Sequence, residues 1–295
     1  MSPSSHRVRS PEQASAKEVL DEEMNERLIP IKVSAKNATT AVGLYTELQS
    51  ILEIKSHTDY PDLLVITDIS PHLATALWQR LERLESRSTR LSYDSTTKSF
   101  LIKMPTPIHN SVSLWLHRVL TECLLNGIFN AVEMKLIGPG ADDTINLPNG
   151  IFANTKKQPD AQLLVEGLMY PTVCLEIGWS ESQVHLESDM NRLLIGGQGE
   201  INVVILLKWY KRKAGVGGQI QVWRLDAAGV PRRDQEEIVF PAPALPQAPL
   251  RLTRQELFGA SIVPGRLPTD VIPFSLDDLR TVARQALWRQ GLVPL

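Results

Sequence analysis

The alternation of apolar and polar positions divides the chain into blocks of unequal regularity. In the first, Thr39 to Leu52 carries apolar residues at helical spacing, and Asp62 to Ile69 (DLLVITDI) is a short apolar run of the kind that forms a buried strand. Ser70 and Pro71 follow it. Serine caps free amides and proline suits a first helical turn, so a helix is expected there, with Leu73, Leu77, Leu81 and Leu84 as its apolar face. Arg90 to Tyr93 and Ser99 to Met104 read as the arms of a hairpin. In the second block, residues 108 to 126 form a helical stripe (Val112, Leu116, Val119, Cys123) ended by Gly127. Strands are expected over Ala131 to Ile137, Ala161 to Val165 and Pro171 to Gly178. A helix is expected over Glu181 to Leu194, closed by Gly196 and Gly197, and Ile201 to Tyr210 is the most hydrophobic strand.

From Gly215 the texture changes. Ile220 to Leu225 reads as a strand, and 8 of the 20 prolines fall between 231 and 273, which predicts an extended connector along the surface. Ser275 and Asp278 open a final amphipathic helix with Leu276, Leu279, Ala283 and Leu287 on one face. Residues 1–27 are rich in Ser, Glu and Arg and read as a disordered tail. The pattern therefore divides into that tail, an α/β extension (28–107), a core (108–213) and a C-terminal strand, proline-rich connector and helix (214–295).

Composition narrows the function. The 31 basic and 33 acidic side chains nearly balance, which excludes a polycationic wrapper of nucleic acid, and 43% hydrophobic residues is a globular share. The longest apolar runs, such as Val203 to Leu207, fall far short of the roughly 18 residues of a membrane span. No secretory h-region precedes Gln13, and the two cysteines, Cys123 and Cys174, sit among apolar neighbours. An intracellular protein, cytoplasmic or nuclear, with buried thiols is the expectation.

Asp160 and Glu176 are the sharpest candidates for chemistry. Each lies at or within a strand of the same expected sheet, and adjacent strands are only about 4.8 Å apart. Two carboxylates so placed can share one hard divalent cation, Mg²⁺ or Mn²⁺, which suits phosphodiester hydrolysis by a metal-activated water. Glu176 also interrupts an apolar run (Val173, Cys174, Leu175, Ile177), where an ionised carboxylate needs a partner. The plainer account of the same spacing puts Asp160 in a turn after Pro159 and Glu176 on the solvent face of an alternating strand.

The words around the pair, Lys157-Gln158-Pro159-Asp160, then PTVCLE at 171–176, then Ile177-Gly178-Trp179-Ser180-Glu181-Ser182, resemble the PD-(D/E)XK or restriction-endonuclease-like superfamily, and most nearly its uncharacterised fungal-type members. About a third of the chain is covered. The resemblance implies an α/β fold with a restriction-endonuclease-like core, a central mixed sheet flanked by helices, and Mg²⁺-dependent cleavage of DNA or RNA. By position, it implies Asp160 and Glu176 as metal ligands and Glu122 as a supporting acid on the first helix. The superfamily pattern expects lysine where this chain has Gly178, so the basic group must come from elsewhere: Lys157, Arg192 or Lys208, with Lys208 preferred at the end of its apolar strand. A fold retained without catalysis, binding nucleic acid or protein, is the alternative, and an accessory protein docking through the proline-rich strip is a third.

Other features carry less. Lys208-Trp209-Tyr210-Lys211-Arg212-Lys213 suits phosphate contacts and base stacking, or is simply a strand end entering a solvated turn. Asp62 reads as a strand-start residue. The glycines at 196, 197 and 199 and at 215, 217 and 218 read as turns, and His109, His117 and His185 lack zinc-site spacing. Ser180 and Ser182 sit outside any nucleophile-elbow pattern.

Overall fold

The computed structural model describes residues 29–53, 62–83, 89–141 and 143–295. The expected tail and Leu84 lie outside these. Among the described residues no helix is long and apolar enough to cross a membrane.

The chain is α/β, with two six-stranded sheets and a small third one. The first sheet runs β1 (Ile31–Ser34), β2 (Leu63–Thr67), β4 (Ser99–Lys103), β3 (Arg90–Asp94), β7 (Thr155–Lys157), β6 (Ile145–Leu147), and only β1 and β2 are parallel. Helices α1 (Ala41–Glu53) and α2 (Pro71–Glu82) contribute to the core on one face of it. Ser70 caps α2 as the sequence predicts, its side chain accepting from the Leu73 amide, and Leu73, Leu77 and Leu81 are buried.

The second sheet runs β12 (Pro231–Phe240), β11 (Gly215–Leu225), β10 (Val203–Arg212), β9 (Val173–Gly178), β8 (Ala161–Val165), β5 (Ile137–Gly140). It is mixed: β9 and β10 are parallel and the other pairs antiparallel. The parallel pair is joined by the crossover helix α5 (Gln183–Gly196), a long connection of the sort that parallel strands require. Helices α3 (Pro107–Leu125) and α7 (Leu276–Arg289) add their apolar faces to the main core beside this sheet, while α5 packs in a separate cluster with Leu206 and Cys174.

Four sequence expectations need correction. Ala131–Leu136 is a helix, α4, rather than a strand. Asn130 caps it and Glu133 reaches back to the Asn130 amide, a local pairing that outweighs the β-branched content of the segment. The proline-rich segment keeps a surface course, with 241–249 exposed except for a half-buried Gln247, but much of it is regular structure rather than an extended connector. Pro231–Phe240 is the ten-residue edge strand β12, with proline at its first position, where no ladder donor is needed. Strands β13 (Leu250–Thr253) and β14 (Val271–Phe274) then form a ribbon that buries Leu250, Leu252, Ile272 and Phe274, with α6 (Arg254–Phe258) between them. Gly217 and Gly218 lie in β11, opposite Tyr210 and Trp209, where any side chain would collide with the rings. Finally, the expected divisions at 107/108 and 213/214 do not separate sheets: β6 and β7 complete the first sheet, and β11 and β12 complete the second.

Candidate functional site

The two sheets meet over a cluster of charged side chains, nearly all of them inaccessible to solvent. Glu176, in the middle of β9, is 0% exposed, so the reading that puts it on a solvent face is overturned. Asp160 immediately precedes β8 and is 4% exposed. Antiparallel pairing sets Ala161 opposite Leu175, which brings Asp160 alongside the Glu176 end of β9, and the Asp160 Oδ2 accepts the Ile177 amide at 2.7 Å. The motif's two acids therefore converge as neighbouring strands require.

Their cationic partners come from the other sheet. Lys103, the last residue of β4, reaches across so that its Nζ donates to Asp160 Oδ2 at 2.8 Å and to the Ile177 carbonyl at 3.1 Å. The same ammonium lies 2.9 Å from Glu181 Oε2 and 3.6 Å from Glu176 Oε2. Lys157, the last residue of β7, places Nζ 3.0 Å from Glu176 Oε2 and also bonds Asp189 on α5. Arg192, one turn further on α5, holds Asp189 and lies 2.9 Å from Asp94 at the end of β3.

The sequence candidates thus sort into three groups. Asp160, Glu176 and Lys157 are brought together. Arg192 is one residue removed, touching Asp189 rather than the motif acids. Glu122 and Lys208 sit elsewhere: Glu122 is on an exposed part of α3, accepting from Asn126 at 3.2 Å. Lys208 is register-paired with Gly178 and donates to the carbonyls of Trp179 (3.1 Å) and Glu181 (2.7 Å). It holds the turn that leads into α5, and it does so from inside β10, which runs on to Arg212 rather than ending at Lys208 as the sequence suggests. Nor does the following Trp209 offer a stacking surface, since it is fully buried against Phe240 with ring centroids 6.0 Å apart.

Gly178 has a local reason. A Cβ there would lie 2.8 Å from Leu186 Cδ1 and 3.1 Å from the Glu181 carbonyl, so the start of α5 packs where a side chain would stand. The lysines that meet Glu176 and Asp160 come from β7 and β4.

Lys103 and Glu181 were missed by sequence reasoning. Lys103 ends a strand whose other residues are Ser99, Phe100, Leu101 and Ile102, and a charge at the end of an apolar run is the same signal that singled out Glu176. Asp62 and His109, read as incidental, also belong to the buried set. His109 Nε2 is 3.0 Å from Asp62 Oδ2, and Asp62 accepts from both the Ser180 amide (3.1 Å) and its hydroxyl. This clamp ties β2, α3 and the residues after β9 together.

Charge and burial set the proton positions. Burial pushes the Asp160 carboxyl up, yet Lys103, His109 and Lys157 together hold it below its ordinary value. At Asp189 burial is likewise overcome, by Lys157 and Arg192, leaving it at about 2. Glu176 goes the other way, raised to about 8: burial dominates, Lys157 and Lys103 offset it in part, and Asp189 and Asp160 add like charge. Burial disfavours both ammonium groups, but the surrounding carboxylates raise Lys103 and Lys157 above the ordinary lysine value.

The donor set suits a hard cation in kind. Asp160 Oδ1, Glu176 Oε1 and Glu181 Oε1 are buried without a hydrogen-bond partner among the described residues, and the Ile177 carbonyl accepts from the same Lys103 ammonium that Asp160 does. Among the described residues, however, no group of three or more His, Cys, Asp or Glu side chains is disposed to hold a metal ion. The cation nearest these three carboxylates is the Lys103 ammonium, which meets their other oxygens, Asp160 Oδ2, Glu181 Oε2 and, at 3.6 Å, Glu176 Oε2. No protein-family model matches the chain, and no curated protein sequence matches it.

Proposed function

We propose that the chain is a divalent-cation-dependent nuclease of the restriction-endonuclease-like kind, acting on DNA or RNA through Asp160 and Glu176. One observation carries this reading: Asp160 accepts the backbone amide of the residue after Glu176, and Lys157 sets its ammonium 3.0 Å from Glu176, although the three residues come from β7, the position before β8, and β9. Mg²⁺ or Mn²⁺ held by Asp160, Glu176 and the Ile177 carbonyl would activate water and neutralise charge at the scissile phosphate. Lys157 takes the place of the absent lysine at 178, its ammonium kept charged beside Glu176 to stabilise charge that develops on the phosphate. Access to the acids requires that Lys103 withdraw from them.

A second reading is favoured by a different observation. Asp160, Glu176 and Glu181 are almost wholly buried and already face two ammonium groups, so the cluster serves as an internal ionic joint in a module that binds without cleaving. Cleavage assays of the full chain with Mg²⁺ or Mn²⁺ on single- and double-stranded DNA and RNA separate the two. The nuclease reading expects cleavage that Glu176→Gln lowers by about 10²-fold or more, the usual scale for a positioned electrostatic group. It also expects Mn²⁺ to raise the melting temperature of Lys103→Met more than that of the wild type. No cleavage of any substrate by either protein would leave the ionic joint as the function of the cluster.

A further inference from the structure

We propose that Asn149 is a site of spontaneous covalent modification, deamidation through a succinimide, and that the fold withholds the same chemistry from Asn126. The chain has two Asn-Gly pairs, and the same residues follow each: Asn126-Gly127-Ile128-Phe129 and Asn149-Gly150-Ile151-Phe152. Each glycine has a positive φ, +70° and +76°, where a side chain would be strained, so neither amide is shielded by a Cβ. Asn126, Gly127, Asn149 and Gly150 are all exposed, so access of water does not separate the pairs either. What separates them is hydrogen bonding.

The reaction sets the structural requirement. The glycine amide nitrogen attacks the asparagine Cγ and closes a five-membered imide. The Cγ–Nδ2 bond breaks, and Nδ2 leaves as ammonia with the proton that the backbone amide gives up. Water then opens the ring, at the side-chain carbonyl to give aspartate or at the backbone carbonyl to give isoaspartate, in which the chain runs through the side-chain carbon. One water is consumed and one ammonia released. Closure therefore needs a glycine N–H that is not committed to a hydrogen bond and a side-chain amide free to turn toward it.

Asn126 meets neither condition. It caps the C-terminal end of the 19-residue helix α3, its own amide donating to the Glu122 carbonyl at 2.9 Å. The Gly127 N–H donates to the Leu124 carbonyl at 3.1 Å, the kind of bond with which a left-handed glycine closes a helix. The side chain is held as well, Nδ2 donating to Glu122 Oε2 at 3.2 Å. At Asn149 these restraints are absent among the described residues: its side chain makes no hydrogen bond, and the Gly150 N–H donates to nothing. Asn149 is extended, at φ −131° and ψ 170°, in the link between β6 and β7, and a single helical turn, Gly150–Phe152, follows it. The link is anchored around the pair by the Asn154 amide on the Leu147 carbonyl at 2.8 Å and by Phe152 against the α5 cluster, while Ile151 is 70% exposed. Turning the peptide after Asn149 disturbs one surface turn, whereas at Asn126 it unmakes a helix end. The inference is independent of the nuclease reading. Its product nevertheless adds a carboxylate, and in isoaspartate an extra backbone carbon, to the link that leads into β7, the strand of Lys157.

Storage of the full chain in mildly alkaline buffer, with peptide mapping by mass spectrometry at intervals, tests this. In the folded protein the Asn149 peptide is expected to gain the single mass unit of deamidation, part of it as chromatographically resolved isoaspartate, at least about tenfold faster than the Asn126 peptide, the kind of ratio that unequal local opening imposes. In concentrated urea that ratio should collapse, because the two pairs share the residues that follow them. Asn149→Gln, whose longer side chain would have to close a larger ring, should abolish the modification at 149 and leave the melting temperature unchanged. Equal rates at the two sites of the folded protein, a faster Asn126, or an Asn149 that stays intact while the unfolded chain is converted would overturn the proposal. So would a ratio that persists undiminished in urea, since the cause would then lie in the flanking sequence and not in the fold.

Discussion

Lys103 and Asp160 meet at 2.8 Å, bridging two sheets and 57 residues of sequence, and neither side chain is more than marginally exposed. Each is the principal compensation for the other's burial. Asp160→Asn keeps the shape but removes the charge on which Lys103 depends, so a loss of about 3–5 kcal/mol is expected, the usual cost of breaking a buried pair from one side. Repulsion between the two motif carboxylates would, taken alone, make this substitution nearly free. Burial and the lysine reverse that. Chemical denaturation of the variant decides, and a cost below about 1 kcal/mol would mean that the pair is not coupled as its geometry implies.

Glu176 makes stability depend on pH in a defined direction. Unfolded, its carboxyl ionises near 4.5, whereas folded it holds the proton to about 8. Between these values the folded state binds more protons, so this contribution is complete below about pH 4.5 and is lost as pH rises through 8, by at most about 1.4 kcal/mol per unit. Asp62 and Asp189, held at about 2, act oppositely: their contribution is present above 3.8 and lost as pH falls through 2, outside this window. Glu176→Gln should gain stability relative to the wild type at each step from pH 5 to pH 8 in urea titrations. Parallel pH profiles for the two proteins would show that the carboxyl ionises normally in the fold.

Restoring the superfamily pattern at position 178 should do harm. Leu186 and the Glu181 carbonyl crowd the Cβ position, so Gly178→Ala is expected to cost about 1–3 kcal/mol by overpacking, and Gly178→Lys at least as much. Thermal melts of both variants measure this. A stable Gly178→Lys variant with faster cleavage would mean that Lys157 is not the substitute cation.

The C-terminal helix is fastened to α3 by Trp115, whose indole donates to the Ser275 carbonyl at 2.7 Å and meets Phe274 edge-on at a centroid distance of 5.8 Å. Trp115→Phe leaves that carbonyl short of a donor and opens a small void, a loss of about 2–4 kcal/mol. Equilibrium unfolding provides the number, and hydrogen exchange should show the increase in opening concentrated in α7. Exchange unaltered in α7 would place the contact outside the helix's anchoring.

Periodicity made most of this legible. Helices α1, α2, α3, α5 and α7 and strands β2, β3, β4, β8, β9 and β10 fall close to where the apolar spacing puts them, because each presents one buried face. The Asp160, Glu176 and Lys157 cluster was equally legible, since neighbouring strands bring such residues together and the motif words mark them. Lys103 and Asp62 were hidden for a physical reason: they come from the other sheet, and no local pattern records which strand end will face which. Lys208 misled because it is close to Glu176 in register while its ammonium goes to backbone carbonyls. Strand β12 was obscured by alternation of charged with intermediate positions on an edge, preceded and followed by prolines.

The first sheet has a further consequence for how the molecule can be divided. Its central strand β3 takes one neighbour from nearby in sequence and the other, β7, from beyond α3, α4 and β5. A fragment ending at residue 107 would leave the outer edge of β3 with bare amides and carbonyls, an invitation to pair with another copy. The complementary fragment would carry Lys157 without Lys103 and would lose the ammonium that Asp160 bonds directly. Neither half is a self-sufficient folding unit, and the two layers should gain and lose their order in a single cooperative transition.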